Sequence, residues 1–82
     1  MKLTEAVSKR LTELAKANNL NLSEWSIRSG LTPSTVYGAK NRKKGCPRLQ
    51  TIKYLCDTIK ITLPEFFNVD YIISAENDVD KL

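Results

Sequence analysis

At 82 residues the chain fits one small domain with a marginal core, and it has neither an apolar run long enough to span a membrane nor the apolar stretch of a signal peptide, so it is expected in the cytoplasm. It has no histidine, the usual general base and commonest metal ligand, and its two cysteines, Cys46 and Cys56, lack zinc-site spacing, so no metal, cofactor or catalytic site is expected. The net charge of +4 is unevenly spread: Arg28, Lys40, Arg42, Lys43, Lys44, Arg48 and Lys53 lie between Glu24 and Asp57 with no acid among them, and five acidic residues follow from Glu65 onward. That pattern implies a face for a polyanion and a tail kept off it.

In chain order, the spacing predicts a first helix over residues 4–18, with Val7, Leu11, Leu14 and Ala15 inward. Thr4 is its expected cap, and Lys9, Arg10, Glu13 and Lys16 are largely outward. Asn21 and Glu24 have capping-box spacing and open a second helix over residues 22–29, with Leu22 and Trp25 in the core. Ser26 is small enough for a neighbouring helix to approach, Gly30 is a left-handed stop, and Leu31 is a buried pivot. Thr32 caps a third helix with Pro33 in its first position, running to Lys40 or Asn41, with Val36 and Ala39 inward. Its outward face carries Ser34, Thr35, Tyr37, Gly38 and Asn41. A loop follows to Pro47, in which Cys46 is either an incidental residue or a thiol made reactive by neighbouring cations. A fourth helix over residues 48–59 turns Leu49, Ile52, Leu55, Cys56 and Ile59 inward. Thr62 and Glu65 form a second capping box that opens a short fifth helix through Phe67. The remainder starts apolar and ends acidic, with no sheet expected.

Two helices joined through a glycine turn, with cations beside the second, are the parts of a helix-turn-helix reader of double-stranded DNA. Cations neutralise phosphates, whereas base edges in the major groove are read by short polar side chains near a helix start. Ser34 and Thr35 suit that role, the Tyr37 ring can meet a thymine methyl, and Asn41 reaches a base edge or a phosphate. A plainer reading stands beside this one: a solvated loop at Arg42, Lys43 and Lys44, and a tyrosine that only packs against it.

The stretch LSEWSIRSGLTPSTVYGAKN, followed by PRLQTIKYLCDTIKITLPEFF, resembles the Cro-like and lambda-repressor-like (XRE) family of helix-turn-helix regulators. Ser26, Gly30, Leu31 and Val36 match its turn signature in order, and the resemblance covers roughly residues 3–68. It implies an all-α fold of five helices, the third lying in the major groove. The implied base-reading positions are Pro33, Ser34, Thr35, Tyr37, Gly38 and Asn41. The implied phosphate positions are Asn21, Ser23, Thr32, Arg42, Lys43, Lys44 and Arg48. The family commonly has alanine at the position of Ser26. It often has a glutamine at the start of helix two that clamps a phosphate and orients a second glutamine in helix three. Leu22 and Pro33 stand at those two positions, so Ser34 or Thr35 must do more.

The expectation is therefore a helix-turn-helix domain over residues 1–68 that acts as a sequence-specific transcriptional regulator, most simply a repressor. Residues 69–82 are expected to hold a dimer contact and then an acidic frayed end. Homodimer contacts fall on Phe66, Phe67, Val69, Tyr71, Ile72 and Ile73, some of which could instead close the monomer core. No membrane and no small-molecule ligand is implied as a partner. The rival reading is a protein-interaction module, such as an antitoxin or antirepressor, whose acidic tail covers a basic partner.

Overall fold

Helix α1 (Leu3–Ala17) runs along one side of the chain and packs through Val7, Leu11 and Ala15, the face that its apolar spacing defines. The computed structural model describes residues 1–32 and 47–78. Within these lie four more helices: α2 (Leu22–Arg28), α3 (Leu49–Thr58), α4 (Leu63–Phe67) and α5 (Asp70–Ile73). The described residues form an all-α fold in which the one β-type pairing is an isolated parallel bridge between Lys2 and Glu76. The expected third helix, with Val36 and Ala39 inward, and the loop with Cys46 lie outside the described residues. No described helix is long and apolar enough to cross a membrane.

The core joins Val7, Leu11 and Ala15 to Leu22 and Trp25 of α2, Ile52, Leu55 and Cys56 of α3, and Phe66 of α4. Trp25 and Phe66 are its largest fully buried side chains, and rings of that size dominate the burial of a small core. Trp25 also meets its polar requirement there, donating from Nε1 to the carbonyl of Leu55 at 3.0 Å. Ser26 is fully buried against the core and donates to the Leu22 carbonyl at 2.6 Å, one turn back.

Three helices end in the same way. After α1, α2 and α3 come Asn19 (φ 55°), Gly30 (φ 76°) and Lys60 (φ 61°), each in the left-handed region. The next residue, Leu20, Leu31 or Ile61, donates its N–H five residues back, to the carbonyl of Ala15, Ser26 or Cys56. This is the Schellman closure, and in each case the large apolar residue after the turn packs against the core. Leu31, expected as a buried pivot, is half-buried.

Several expectations change. Leu49, expected inward, is 60% exposed, because as the first residue of α3 it lies beyond the reach of the core. Thr4 is not the cap of α1; Lys2 holds that position without a capping side chain, and Thr4 is buried inside the first turn. Arg10, expected outward, reaches across to α4 and donates to the carbonyls of Glu65 and Phe66, both at 2.8 Å. It thereby satisfies carbonyls at the end of a helix too short to bond them all itself. Phe66, expected among the dimer contacts, is fully buried in the chain's own core and has no surface left to offer.

The described residues after α4 return to α1. Helix α5 packs on α1, with the Tyr71 hydroxyl donating to Glu13 and Lys9 Nζ lying 4.5 Å from the Tyr71 ring centre. Burial, then the hydrogen bond to Glu13, push the Tyr71 hydroxyl up to about 12. Beyond α5, Glu76 and Asp78 bind the start of α1.

Candidate nucleic-acid interface

The described part of the candidate interface is set by how α2 begins, how it ends, and how it lies on α3. Asn21 is extended (φ −90°, ψ 166°), and its side-chain oxygen accepts the Glu24 N–H at 2.8 Å. That bond fixes the entry of α2 and occupies the acceptor of an exposed side chain, leaving its amide N–H groups, the donors an anion needs. Ser23 follows within the first turn and is half-buried. At the other end the Gly30 turn sends the chain away from α2. A Cβ at Gly30 would meet nothing within 4 Å, so glycine is favoured there for its backbone angle and not for space.

Two contacts fix how α2 lies on α3. Trp25 bonds the Leu55 carbonyl, and one turn later the Ser29 hydroxyl lies 2.7 Å from that of Thr58. Both contacts join the C-terminal half of α2, with its C-cap, to the second half of α3. The N-termini of α2 and α3 are headed by Asn21 and Arg48. Each N-terminus carries the positive end of a helix dipole, and at α2 Asn21 already accepts one of the first N–H groups. Arg48, exposed at the start of α3, adds a full positive charge at that helix end, a combination suited to a phosphate.

The expected site residues divide between the described and undescribed parts of the chain. Asn21, Ser23, Thr32 and Arg48 are described; Asn21, Thr32 and Arg48 are exposed. Pro33, Ser34, Thr35, Tyr37, Gly38, Asn41, Arg42, Lys43 and Lys44 lie outside the described residues. Of the described cations in the basic middle, Lys53 is held by Asp57 at 2.5 Å, a pair formed one helical turn apart. Arg28, in the last turn of α2, and Arg48, at the start of α3, are exposed.

Residues 10–70 match the Cro/C1-type HTH (helix-turn-helix) DNA-binding domain family. The chain is also similar to an uncharacterized HTH-type transcriptional regulator, RghRB, of Bacillus subtilis (strain 168), with 33% identity over 52 residues. That alignment takes in 63% of this chain and 37% of the relative, so the chain spans little more than a third of the regulator's length. No solved structure matches it.

Proposed function

Because the chain belongs to the Cro/C1-type helix-turn-helix DNA-binding family, we propose that it is a sequence-specific transcriptional regulator of bacterial, phage or mobile-element origin that represses by occupying a promoter. The observation that carries this reading is the α2 unit itself: a capped start at Asn21, a buried Ser26 and a left-handed Gly30 leading into Leu31. This is the local geometry from which the following segment is delivered to a groove. Asn21, Ser23, Thr32 and Arg48, with Arg42, Lys43 and Lys44, hold phosphates. Pro33, Ser34, Thr35, Tyr37, Gly38 and Asn41 face the bases. Binding is divided in the usual way, with phosphate contacts fixing register and base contacts fixing sequence.

A homodimer follows from the small footprint of a single reading helix, since two-fold pairing doubles the site. With Phe66 in the core, the contact falls to Phe67, Val69, Tyr71, Ile72 and Ile73. Ile73 is 67% exposed and lines a shallow open groove with Pro64, Phe67 and Asn68. Tyr71 is engaged by Lys9 and Glu13 of its own chain and would contribute at the edge. The rival reading, a partner-binding module, could use the acidic tail to cover a basic protein; Glu76 and Asp78 of that tail contact the start of α1.

Selection of bound duplexes from a random pool at about 0.15 M salt tests the reading, because weak nonspecific binding is mostly suppressed there. A symmetric enriched motif is expected. An asymmetric motif would remove the dimer, and no enrichment would remove autonomous DNA recognition.

A further inference from the structure

Every helix start needs acceptors for its first N–H groups, and α1 has none of its own. Its N-cap is Lys2, which supplies no capping side chain, and the first intrahelical bond is from the Ala6 N–H to the Lys2 carbonyl at 3.0 Å. The missing acceptors come from the far end of the chain. The Glu76 carbonyl accepts the Leu3 N–H at 2.8 Å, and the Asp78 carboxylate accepts the Thr4 N–H at 3.1 Å. The Thr4 hydroxyl donates to the other oxygen of the same carboxylate. Glu76 returns its own N–H to the Met1 carbonyl at 3.0 Å, and its side chain lies 3.8 Å from Lys2 Nζ.

We propose that residues 75–78 are a releasable strap that caps α1 in place of the missing local cap and opens independently of the core. The chemistry of the contact supports capping: a carboxylate sits at the positive end of a 15-residue helix, where negative charge is favoured. Its composition makes it releasable. Glu76, Asn77 and Asp78 are exposed, and Ala75 is the one half-buried apolar residue in the strap. An element held by exposed polar bonds, with little buried apolar surface, opens at lower free energy than the core beneath it. Below the strap, Val7 and Leu11 anchor α1 in the core, and Arg10 and Glu13 tie it to α4 and Tyr71. Release therefore frees the first turn and leaves the rest of α1 seated. A partner that captures residues 76–78, or a protease that cuts before them, would act on this end alone. The inference does not depend on the DNA-binding reading.

Amide hydrogen exchange on the full chain, at several low urea concentrations, tests it. The Leu3 and Thr4 amides are expected to be at least tenfold less protected than those of Leu11 and Leu55 and nearly insensitive to urea, since little surface is exposed on opening. Asp78→Ala should lower the protection of Leu3 and Thr4 by about fivefold to tenfold, the effect of losing a helix cap. Asn77→Ala, a neighbouring exposed change, should leave both amides as they were. Leu3 and Thr4 amides that share the protection and urea slope of the core would overturn the independent opening. Unchanged exchange in Asp78→Ala would overturn the capping.

Discussion

Lys60 shows how a single backbone angle departs from what its side chain prefers. Its φ of 61° is a conformation that glycine adopts without cost and a lysine does not. Lys60→Gly should therefore raise stability by about 0.5–1 kcal/mol, read as a shift in the urea midpoint with the slope unchanged. A loss of stability would mean that the lysine stem makes a contact worth more than the strain. Arg10 is the opposite case, a residue whose side chain matters more than its position suggests. It bonds two carbonyls of α4, and its guanidinium lies 6.0 Å from the Phe66 ring centre. Arg10→Ala should cost about 1.5–3 kcal/mol in chemical denaturation, and Arg10→Lys should recover only part, because a single ammonium cannot reproduce the planar fork. Neither residue was legible from the sequence. Nothing in a lysine announces a left-handed turn, and the Arg10 bonds span more than fifty residues, which helical periodicity does not encode.

At the scale of elements, the readable features were those with local causes. The apolar spacing of α1, the Asn21 start, the Gly30 stop and the Thr62–Glu65 box all depend on residues within one or two turns. In the box, the Thr62 hydroxyl accepts the Glu65 N–H at 3.2 Å and the Glu65 carboxylate accepts the Thr62 N–H at 3.0 Å. Thr62→Ala should cost about 1 kcal/mol, measured by thermal or urea unfolding. The hydrogen bonds from the Thr62 N–H and then its hydroxyl hold the Glu65 carboxyl below its ordinary value of 4.5. A depressed carboxylate stabilises the fold above that ordinary value, and the contribution is lost as pH falls through the lower folded one. In Thr62→Ala the acid-side loss of stability should accordingly be shallower than in the parent chain. What the local pattern could not give was the extent of each face. Leu49 continues the apolar spacing of α3 but sits at its first position, past the end of the core. Helix α5 was visible as an apolar run and not as a helix, since four residues are too few to show a period.

For the whole molecule, two titrations oppose alkaline pH. Burial, then the neighbouring Asp57 charge, push the Cys56 thiol from 9.0 up to about 11, and the Tyr71 hydroxyl rises from 10.0 to about 12. Both groups are neutral in the fold at pH values where the unfolded chain already ionises them. The stability they contribute is complete below about pH 9 and is lost as pH rises toward 11 and 12. Cys56→Ala should flatten the part of that decline between 9 and 11, even though the cavity lowers stability at neutral pH. On the DNA side, Arg48→Ala should weaken binding about equally across sequences and reduce the salt slope by about one, the behaviour of a phosphate contact. A changed sequence preference would instead make Arg48 a base reader. The family and the all-α architecture were legible because the turn signature is local and specific. The junction of the two chain ends was not: an acidic tail reads as solvated until the helix that lacks a cap is found beside it.

The chain has a single tryptophan, Trp25, fully enclosed and with its indole N–H bonded to the Leu55 carbonyl. The protein therefore carries an intrinsic fluorophore at the seam between α2, which precedes the segment proposed to read bases, and the helix headed by Arg48. Rigid docking on a duplex would leave its emission wavelength where it stands in the free protein. Any binding mode that slides α2 against α3 would break the indole bond or admit water, and the emission would move without a label having been added.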